Sequence, residues 1–321
     1  MSILSKIKKH VFSRNFNREY NLIRSNYKLQ FVKEKVPILV IFCLDGRTGT
    51  EGFADRIKGM ISCYAYAKAT NIPFRIEHIV PFELSEYLVP NNYDWQLKEG
   101  EKSYNLLYAN PVFFIQFTDD QHNMRLFWIN KHRQHHLFTN APYILNEVNN
   151  KYNKNYKFEE LFQELFKPSL SLEKKINEQN VRIKNGEYIS ISFRFMQLMG
   201  DFKDIYGDIL PEEGRIELLN KSLALVKSLH EKEQKTILVT SDSQTFLDVV
   251  SKLNYVYVIP GEVGHIGFSK RNGIFEKVFL DFYMISRASH VYMAHSGKMR
   301  VGGFAKTAAM TTNAPYDEIT Y

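Results

Sequence analysis

Apolar segments of strand length alternate with helix-like patterns along this chain. The first segment is VPILVIFCL at 36–44, and it is followed by a polar loop, by FADRIKGMISCYAYAKAT with apolar residues at helical spacing, and by FRIEHIV at 74–80. A strand, a helix and a second strand in this order form a β-α-β unit, which indicates a parallel sheet. The chain is therefore predicted to be an α/β protein.

The second half of the chain repeats this alternation. The strand-like segments EYISISFRF, KTILVT, YVYVI and HVYMA are separated by helix-like segments, of which RIELLNKSLALVKSLH places Ile216, Leu219, Leu223 and Val226 on one face. A chain of 321 residues is long for a single domain. We therefore expect two Rossmann-like domains facing each other across a cleft, as in glycosyltransferases that use nucleotide sugars.

The predicted boundaries separate an arm over 1–35, a first α/β domain over 36–172 and a second Rossmann-like domain over 173–321. Between residues 81 and 172 the alternation of strand-like and helix-like segments is less regular. There PFELSEYLVPNNYDW is typical of a loop with short helices, whereas PVFFIQF and HHLFTNA are predicted strands.

Two motifs in this middle region contain residue types that bind metals. In TDDQH at 118–122 the two acids are adjacent, unlike the metal-binding Asp-x-Asp, and a polar hairpin is the favoured interpretation. In HRQHH at 132–136 there is neither a cysteine nor a helical histidine pair with an intervening glutamate. We predict no metal site.

Positive charge is concentrated in the arm. Of 42 Lys or Arg and 35 Asp or Glu in the chain, nine and two fall within 1–35, which leaves 33 of each sign for the rest. Ile3, Leu4, Ile7 and Val11 share one helical face. The basic residues around that face are Lys6, Lys8, Lys9 and Arg14. This pattern predicts docking on an anionic membrane surface, with a solvated arm packed on the domain as the alternative. Nucleic acid is not an expected partner.

Several features indicate the cell compartment. Cys43 and Cys63 are too few for a disulfide framework, which fits a reducing cytosol. The N-terminus lacks the apolar core of a signal peptide, and no apolar stretch has the length needed to span a bilayer. We expect a cytoplasmic protein that is peripheral on the inner face of the membrane.

Four loops after predicted strands carry the candidate site residues, because ligands of parallel sheets bind beyond the carboxyl ends of the strands. These residues are Glu51, Gly52, Asp55 and Arg56 in the first loop, Arg194 and Asp201 in the second, Ser241, Asp242 and Ser243 in the third, and His295, Ser296 and Gly297 in the fourth. The first loop can also be a simple strand-to-helix turn, and Ser243 is also a natural helix N-cap. The fourth loop leads into a helix whose N-terminal amides can face an anion.

Arg194 stands out because it interrupts the apolar run ISFRFMQLMGDF. A guanidinium does not lose its charge in proteins, so it needs an anionic partner there. A ligand phosphate is one candidate, and an acid such as Asp201 is the other.

Four segments together resemble the motifs of a known family. EGFADRIKGMISCYAYAKATNIPFRI, ISFRFMQLMGDF, TSDSQTF and DFYMISRASHVYMAHSGKMRVGGFAKTAAM, in this order, are similar to those of GT-B fucosyltransferases, which include α-1,2-, α-1,6- and protein O-fucosyltransferases. The resemblance covers about 37–79 and 186–310. It implies GDP-fucose as the donor substrate, inversion at the anomeric carbon and no metal cofactor.

The resemblance assigns roles to individual residues. In the family segment H-x-R-x-x-D the arginine binds the donor diphosphate, and Arg194 matches it. Ser192 stands at the histidine position, and the aspartate is displaced to Asp201. The other matches are Gly52, Asp55 and Arg56 with the glycine-rich first loop, Asp242 and Ser243 with a donor-side loop, and Ser296 and Gly297 with a phosphate-side loop.

The resulting hypothesis is a fucosyltransferase that acts in surface polysaccharide or glycan synthesis on a glycan or lipid-linked acceptor. A departing nucleoside diphosphate needs positive charge, which Arg194 and helix amides can supply. A carboxylate can take the acceptor proton, and Glu51, Asp55 and Asp201 are the candidates. The alternatives are transfer of a different sugar, or an inactive relative that binds nucleotide or glycan as a scaffold.

Overall fold

The computed structural model describes residues 25–47, 52–114, 133–139, 143–183, 186–201, 208–264 and 272–321. The chain divides into two compact units. The first comprises Met1–Glu51, Asp55–Glu83 and Tyr93–Tyr156, and the second comprises Gly52–Ala54, Leu84–Asn92 and Lys157–Tyr321. The domain limits at 1–35, 36–172 and 173–321 stay a prediction.

Strands and helices alternate through the described residues. The strands are β1 (Leu39–Leu44), β2 (Phe74–His78), β3 (Leu88–Pro90), β4 (Ala109–Phe114), β5 (Gln134–Thr139), β6 (Phe166–Pro168), β7 (Tyr188–Phe193), β8 (Thr236–Ser241), β9 (Val256–Tyr257), β10 (Val291–His295) and β11 (Tyr316–Thr320). The helices are α1 (Phe53–Ala69), α2 (Tyr143–Tyr152), α3 (Phe158–Leu165), α4 (Leu170–Arg182), α5 (Glu212–Glu233), α6 (Gln244–Val250), α7 (Asn272–Ser286) and α8 (Gly303–Met310), with a 3-10 turn at Leu84–Glu86.

The sheet of the first unit is parallel, with the strand order β2-β1-β5-β4. All six residues of β1 are buried, as the uninterrupted apolar segment predicts for a strand that is covered on both faces. In α1 the buried residues include Ile57, Met60, Ile61 and Tyr64, so the apolar residues at helical spacing form the buried face of the predicted helix. Asp55 and Lys68 lie in its first and last turns, where their charges favour the helix dipole.

The middle of the chain contains elements that the sequence did not predict. Within the expected loop, Leu88–Pro90 forms β3, which pairs antiparallel with β6. Both strands are only three residues long, so no alternating pattern marks them. The motif TDDQH and residues 1–24 of the arm lie outside the described residues.

The sheet of the second unit is also parallel, with the order β11-β10-β7-β8-β9. Its core includes Ile189, Ile191 and Val239 of the central strands. The edge strand β11 was not predicted, because its residues are polar and none is buried. The two units together make the chain an α/β protein with two Rossmann-like sheets.

Helix α5 confirms the predicted helix but corrects one residue of its face. Val226 is buried, and Leu219 and Leu223 pack against the core, whereas Ile216 is 52% exposed. The buried stripe passes through Ser222, Val226 and Leu229, and Ile216 lies in the first two turns away from it. Within the described residues, no helix is both long and apolar enough to cross a membrane.

Candidate functional site

Three of the four predicted loops lie side by side in the second unit. They follow β7, β8 and β10, which are adjacent in the sheet in the order β10-β7-β8. Because these strands are parallel, their carboxyl ends meet at one edge. The fold therefore brings the loops that carry Arg194, Asp242 and Ser296 to the same edge, as the rule for parallel sheets predicts.

Arg194 is the first residue after β7 and is half-buried. Its side chain lies along the loop that follows β10. The Cδ atom of Arg194 is 3.2 Å from the position that a Cβ atom would take at Gly302. The backbone N–H of Arg300 donates to the Arg194 carbonyl at 3.4 Å. The arginine side chain is thus placed directly against Gly302, the residue that precedes α8.

The N-terminus of α8 has the properties of an anion-binding site. Its N-cap is Gly302, which has no side chain to cap the helix, so the first backbone N–H groups are left for another acceptor. Those amides carry the positive end of the helix dipole. Upstream, Gly297 has φ +51° and open space where a side chain would stand. Arg194, Gly302 and the amides of α8 therefore form a cationic surface.

Asp242 contacts the backbone of the Arg194 loop. Its Oδ1 accepts the Phe195 N–H at 2.8 Å, and its Oδ2 accepts the Met196 N–H at 2.9 Å. Burial raises the pKa of Asp242 to about 6, although the two N–H groups and the Arg194 charge act in the opposite direction. Met196 has φ +56°, a conformation that costs free energy in a residue with a side chain. Asp242 therefore stabilises the turn after Arg194.

Asp201, which follows β7, contacts residues of the loop after β8. Its Oδ2 accepts the Ser243 hydroxyl at 2.9 Å and the Thr245 N–H at 2.6 Å. Ser243 also accepts the Phe246 N–H at 3.2 Å, which confirms its predicted role as the N-cap of α6. Asp201 thus caps the start of α6, and that is what holds this exposed carboxylate in place.

Ser192 and Ser241 take part in contacts between the loops and strands at this edge. The Ser192 hydroxyl is buried and lies 2.6 Å from the Thr240 hydroxyl of β8. The Ser241 hydroxyl accepts the Ser243 N–H at 3.0 Å. At the position of the family histidine, this chain therefore has a hydroxyl pair that links two strands.

His295 and Ser296 are tied to the edge strand β11 and the residue after it. His295 Nε2 is 3.1 Å from the Thr320 hydroxyl, and the Ser296 hydroxyl donates to the carbonyl of Tyr321. The Tyr321 hydroxyl lies 2.6 Å from the Ser222 hydroxyl of α5. No sequence pattern indicates a role for Tyr321, because its contacts depend on the unpredicted strand β11.

The first loop is divided between the units, with Gly52 in the second and Glu51, Asp55 and Arg56 in the first, and these residues have separate roles. Glu51 lies outside the described residues, and Gly52 precedes α1. Asp55 pairs with Lys58 at 2.7 Å within the first turns of α1. Arg56 is buried, donates to the Val80 carbonyl at 3.2 Å and lies 3.3 Å from His78 Nε2. The described contacts of Arg56 therefore support the turn after β2.

His78 is a neutral partner in this contact. Burial, reinforced by the Arg56 charge, lowers the pKa of His78 to about 3. His78 Nδ1 is 3.1 Å from the Phe82 carbonyl, so Nδ1 carries the proton and Nε2 accepts from Arg56.

A buried charged cluster in the first unit was only partly visible in the sequence. Asp45 accepts from the Arg47 backbone at 3.2 Å and from Arg47 Nε at 2.8 Å. Lys102 lies 3.9 Å from Asp45 and forms an ion pair with Glu77. Burial opposes ionisation of Asp45, but the Arg47 hydrogen bonds and charge keep its pKa below the usual value. Asp45 and Arg47 are close in sequence, whereas Lys102 and Glu77 are joined to them by the fold.

The HRQHH motif supplies interior residues of β5. His136 Nδ1 lies 2.6 Å from the Tyr27 hydroxyl, and His136 Nε2 lies 2.9 Å from Gln134 Oε1. Among the residues that the structure describes, no three His, Cys, Asp or Glu side chains are grouped as metal ligands.

Comparisons with known proteins identify the fold. No protein-family model matches the chain, and no curated protein matches it in sequence. Solved structures do match. A variant of Arabidopsis thaliana FUT1 in complex with GDP aligns with a TM-score of 0.59 at 12% identity, covering 98% of this chain and 76% of that one.

Two further structures extend the comparison. NodZ α-1,6-fucosyltransferase soaked with GDP-fucose aligns with a TM-score of 0.54 at 13% identity, over 86% of this chain and 92% of that one. POFUT1 in complex with GDP-fucose aligns with a TM-score of 0.50 at 8% identity, over 90% and 98%. The chain therefore has the fold of GT-B fucosyltransferases, as the sequence motifs predicted.

Proposed function

We propose that this protein is a glycosyltransferase that transfers fucose from GDP-fucose to a hydroxyl group of a glycan or lipid-linked acceptor. The observation that carries the proposal is the placement of Arg194 against Gly302, at the uncapped N-terminus of α8. Two sources of positive charge meet there at the carboxyl edge of a parallel sheet, where such sheets bind ligands. The FUT1, NodZ and POFUT1 structures that share the fold contain GDP or GDP-fucose, which supports a nucleotide-sugar donor.

The chemistry of the proposed reaction accounts for this arrangement. When the bond between the sugar and the diphosphate breaks, negative charge grows on the leaving phosphate oxygens. Arg194 can donate two parallel hydrogen bonds to them, and the α8 amides can donate more. Groups already in place stabilise developing charge without the cost of reorganisation. Arg194 and the helix are therefore assigned the role of stabilising the leaving group, which a divalent metal has in other enzymes.

The proton of the acceptor hydroxyl must pass to a base. Attack by the acceptor from the side opposite the diphosphate inverts the anomeric carbon. Of the candidate bases, Asp201 already accepts two hydrogen bonds on Oδ2, and Asp55 is paired with Lys58. The identity of the base among Glu51, Asp55 and Asp201 therefore stays a prediction from the sequence.

The remaining residues of the proposed donor site are Gly297 and Ser296, which border the same edge. Gly297 leaves open space beside the α8 loop, where a larger side chain would intrude. The Ser296 hydroxyl donates its hydrogen to the Tyr321 carbonyl. Its oxygen can therefore accept a hydrogen bond from an N–H or O–H group of the donor substrate. Both are proposed to contact the donor.

Release of GDP from GDP-fucose tests the function. The wild-type protein should release GDP in the presence of acceptor glycans, and Arg194→Ala should reduce turnover by about 100-fold or more. Arg287→Ala is the matched control, because this exposed arginine precedes β10 and so lies at the opposite edge of the same sheet. Equal turnover by Arg194→Ala and wild type would contradict the proposal.

A scaffold that binds nucleotide without turnover is the second candidate. The observation that favours it is the exchange of the family histidine for Ser192, whose hydroxyl is committed to Thr240. Tight binding of GDP in a calorimeter, with no release of GDP from GDP-fucose for any acceptor, would select the scaffold. Preferential binding of UDP over GDP would instead indicate a different donor sugar.

A further inference from the structure

Two carboxylates connect the loop after β7 with the loop after β8 in opposite directions. Asp242, after β8, accepts the N–H groups of Phe195 and Met196, after β7. Asp201, in the loop after β7, accepts from Ser243 and Thr245, after β8. We call this pair of acids the carboxylate clamp.

The clamp encloses the residues that follow Arg194. The two N–H groups that Asp242 accepts belong to the next two residues of the chain, and the second of them is the left-handed Met196. Phe195 is buried against Phe246 with ring centroids 5.1 Å apart, so the side chain and the backbone N–H of this residue are both held. The direction in which the chain leaves β7, and hence the direction of Arg194, depends on these contacts.

Direct contact of either acid with a nucleotide fits the geometry poorly. Both oxygens of Asp242 already accept backbone N–H groups, and a phosphate near them would meet like charge. Asp201 Oδ2 accepts two hydrogen bonds that cap α6, and a proton acceptor in catalysis would have to give these up.

We propose that Asp242 and Asp201 are positioning residues, which hold the loop after β7 so that the Arg194 side chain lies against the N-terminus of α8. This changes the role of both residues from the sequence-based hypothesis, in which Asp242 bound the donor and Asp201 was catalytic. The inference rests on the proposed function only for the identity of the ligand, a guanosine diphosphate.

The charge of Asp242 fits this role. Burial raises its pKa to about 6, and the charged group that faces it is Arg194. Near neutral pH the carboxylate is ionised and accepts both N–H groups. Below pH 6 it takes up a proton, and a protonated carboxyl is a weaker acceptor for two donors.

A double-mutant cycle distinguishes positioning from contact. GDP affinity is measured by calorimetry for wild type, Arg194→Ala, Asp242→Asn and the double variant. Asparagine has one acceptor oxygen, so Asp242→Asn leaves one of the two N–H groups without its partner. We expect Asp242→Asn to weaken GDP binding about 10-fold and to have no further effect when Arg194 is already alanine. Asp201→Ala should behave in the same way.

The control is Asp248→Asn, on the exposed side of α6, where the Asp248 carboxylate accepts only from Gln244 among its described hydrogen bonds. Its GDP affinity should equal that of wild type. Additive losses in the Arg194 and Asp242 double variant would show that Asp242 contacts the nucleotide independently, and would overturn the proposal. Failure of the wild type to bind GDP would instead contradict the proposed function.

An NMR titration tests the clamp without any ligand. In deuterated, 15N-labelled protein, the amide protons of Phe195 and Met196 should shift with pH with a common midpoint near 6. The shift should vanish in Asp242→Asn and persist in Asp248→Asn. Amides of Phe195 and Met196 that do not respond to pH in wild type, or that respond equally in Asp242→Asn, would contradict the clamp.

Discussion

The side chain of Arg194 occupies the space beside Gly302, with Arg194 Cδ 3.2 Å from the place where a Cβ atom would be attached to Gly302. This distance is tight for two carbon atoms. Gly302 has φ −89° and ψ 141°, which any residue adopts, so the glycine is needed there for space and not for backbone freedom.

Gly302→Ala should therefore displace Arg194 while leaving the backbone unstrained. We expect GDP affinity to fall about 10-fold, because the added Cβ atom requires the arginine side chain to shift by a few tenths of an ångström, with a loss of about 1 kcal/mol in unfolding free energy. Gly273→Ala in α7 is the control, since its added methyl group meets nothing within 4 Å. Unchanged GDP affinity in Gly302→Ala would show that the position of Arg194 does not matter for GDP binding.

Arg194→Lys should retain charge but lose the planar pair of donors. A lysine offers a point charge on a flexible stem, whereas an arginine matches a phosphate with two parallel hydrogen bonds. We expect Arg194→Lys to bind GDP about 10-fold more weakly than wild type, and Arg194→Ala about 100-fold more weakly. Calorimetry at fixed ionic strength measures both, and equal affinities for the lysine and alanine variants would exclude a charge contribution at this position.

The raised pKa of Asp242 has a predictable effect on stability. The folded protein holds this proton up to about pH 6, whereas an unfolded aspartate loses it near pH 4. The folded state thus binds more protons between these values, and the contribution of Asp242 to stability is complete below pH 4 and lost as the pH rises through 6. The unfolding free energy of wild type relative to Asp242→Asn should fall by roughly 2 to 3 kcal/mol between pH 4 and pH 7.

Urea unfolding of both proteins across that pH range measures the effect of Asp242. Comparing the two proteins cancels the titration of all other groups that do not contact position 242. A difference that stays constant with pH would contradict a pKa near 6 for Asp242.

Arg56 is expected to contribute to stability. It is buried and bound to the Val80 carbonyl and to neutral His78, so Arg56→Met should lower the unfolding free energy by about 2 kcal/mol or more. GDP affinity should be unchanged at a temperature where the variant is folded. A variant of full stability that has lost GDP binding would restore the donor-binding role that the sequence assigned to Arg56.

The arm should make membrane binding sensitive to salt. Residues 25–30 are part of the first unit, where Tyr27 is buried, so a deletion would also damage the fold. Changing Lys6, Lys8, Lys9 and Arg14 to glutamine avoids this. We expect the variant to lose most of its sedimentation with anionic liposomes at low salt, because each basic residue contributes about 1 kcal/mol. The charge-matched control changes four exposed lysines of the second unit to glutamine, namely Lys174, Lys221, Lys227 and Lys252. Equal sedimentation of both variants would contradict a role of the arm in membrane binding.

Strands that carry continuous apolar residues were predictable, and strands that do not were missed. β1, β7, β8 and β10 lie in sheet interiors, where burial on both faces demands such residues. β11 is an exposed edge strand, and β3 forms only by pairing with β6, far along the chain. No pattern of neighbouring residues indicates a pairing between strands that are far apart in the sequence.

The sequence by itself determined the alternation of strands and helices, the loops that carry the candidate residues and the presence of a lone arginine after β7. These features follow from local periodicity and from the cost of burying charge, both of which can be recognised from residues that are close in the sequence. The tertiary structure decided what the side chains contact. Asp242 and Asp201 are acids in two different loops, and only the adjacency of β7 and β8 in the sheet lets each accept hydrogen bonds from the loop that carries the other. Gly302 likewise acquires its role because β10 lies on the other side of β7, which places the start of α8 against Arg194.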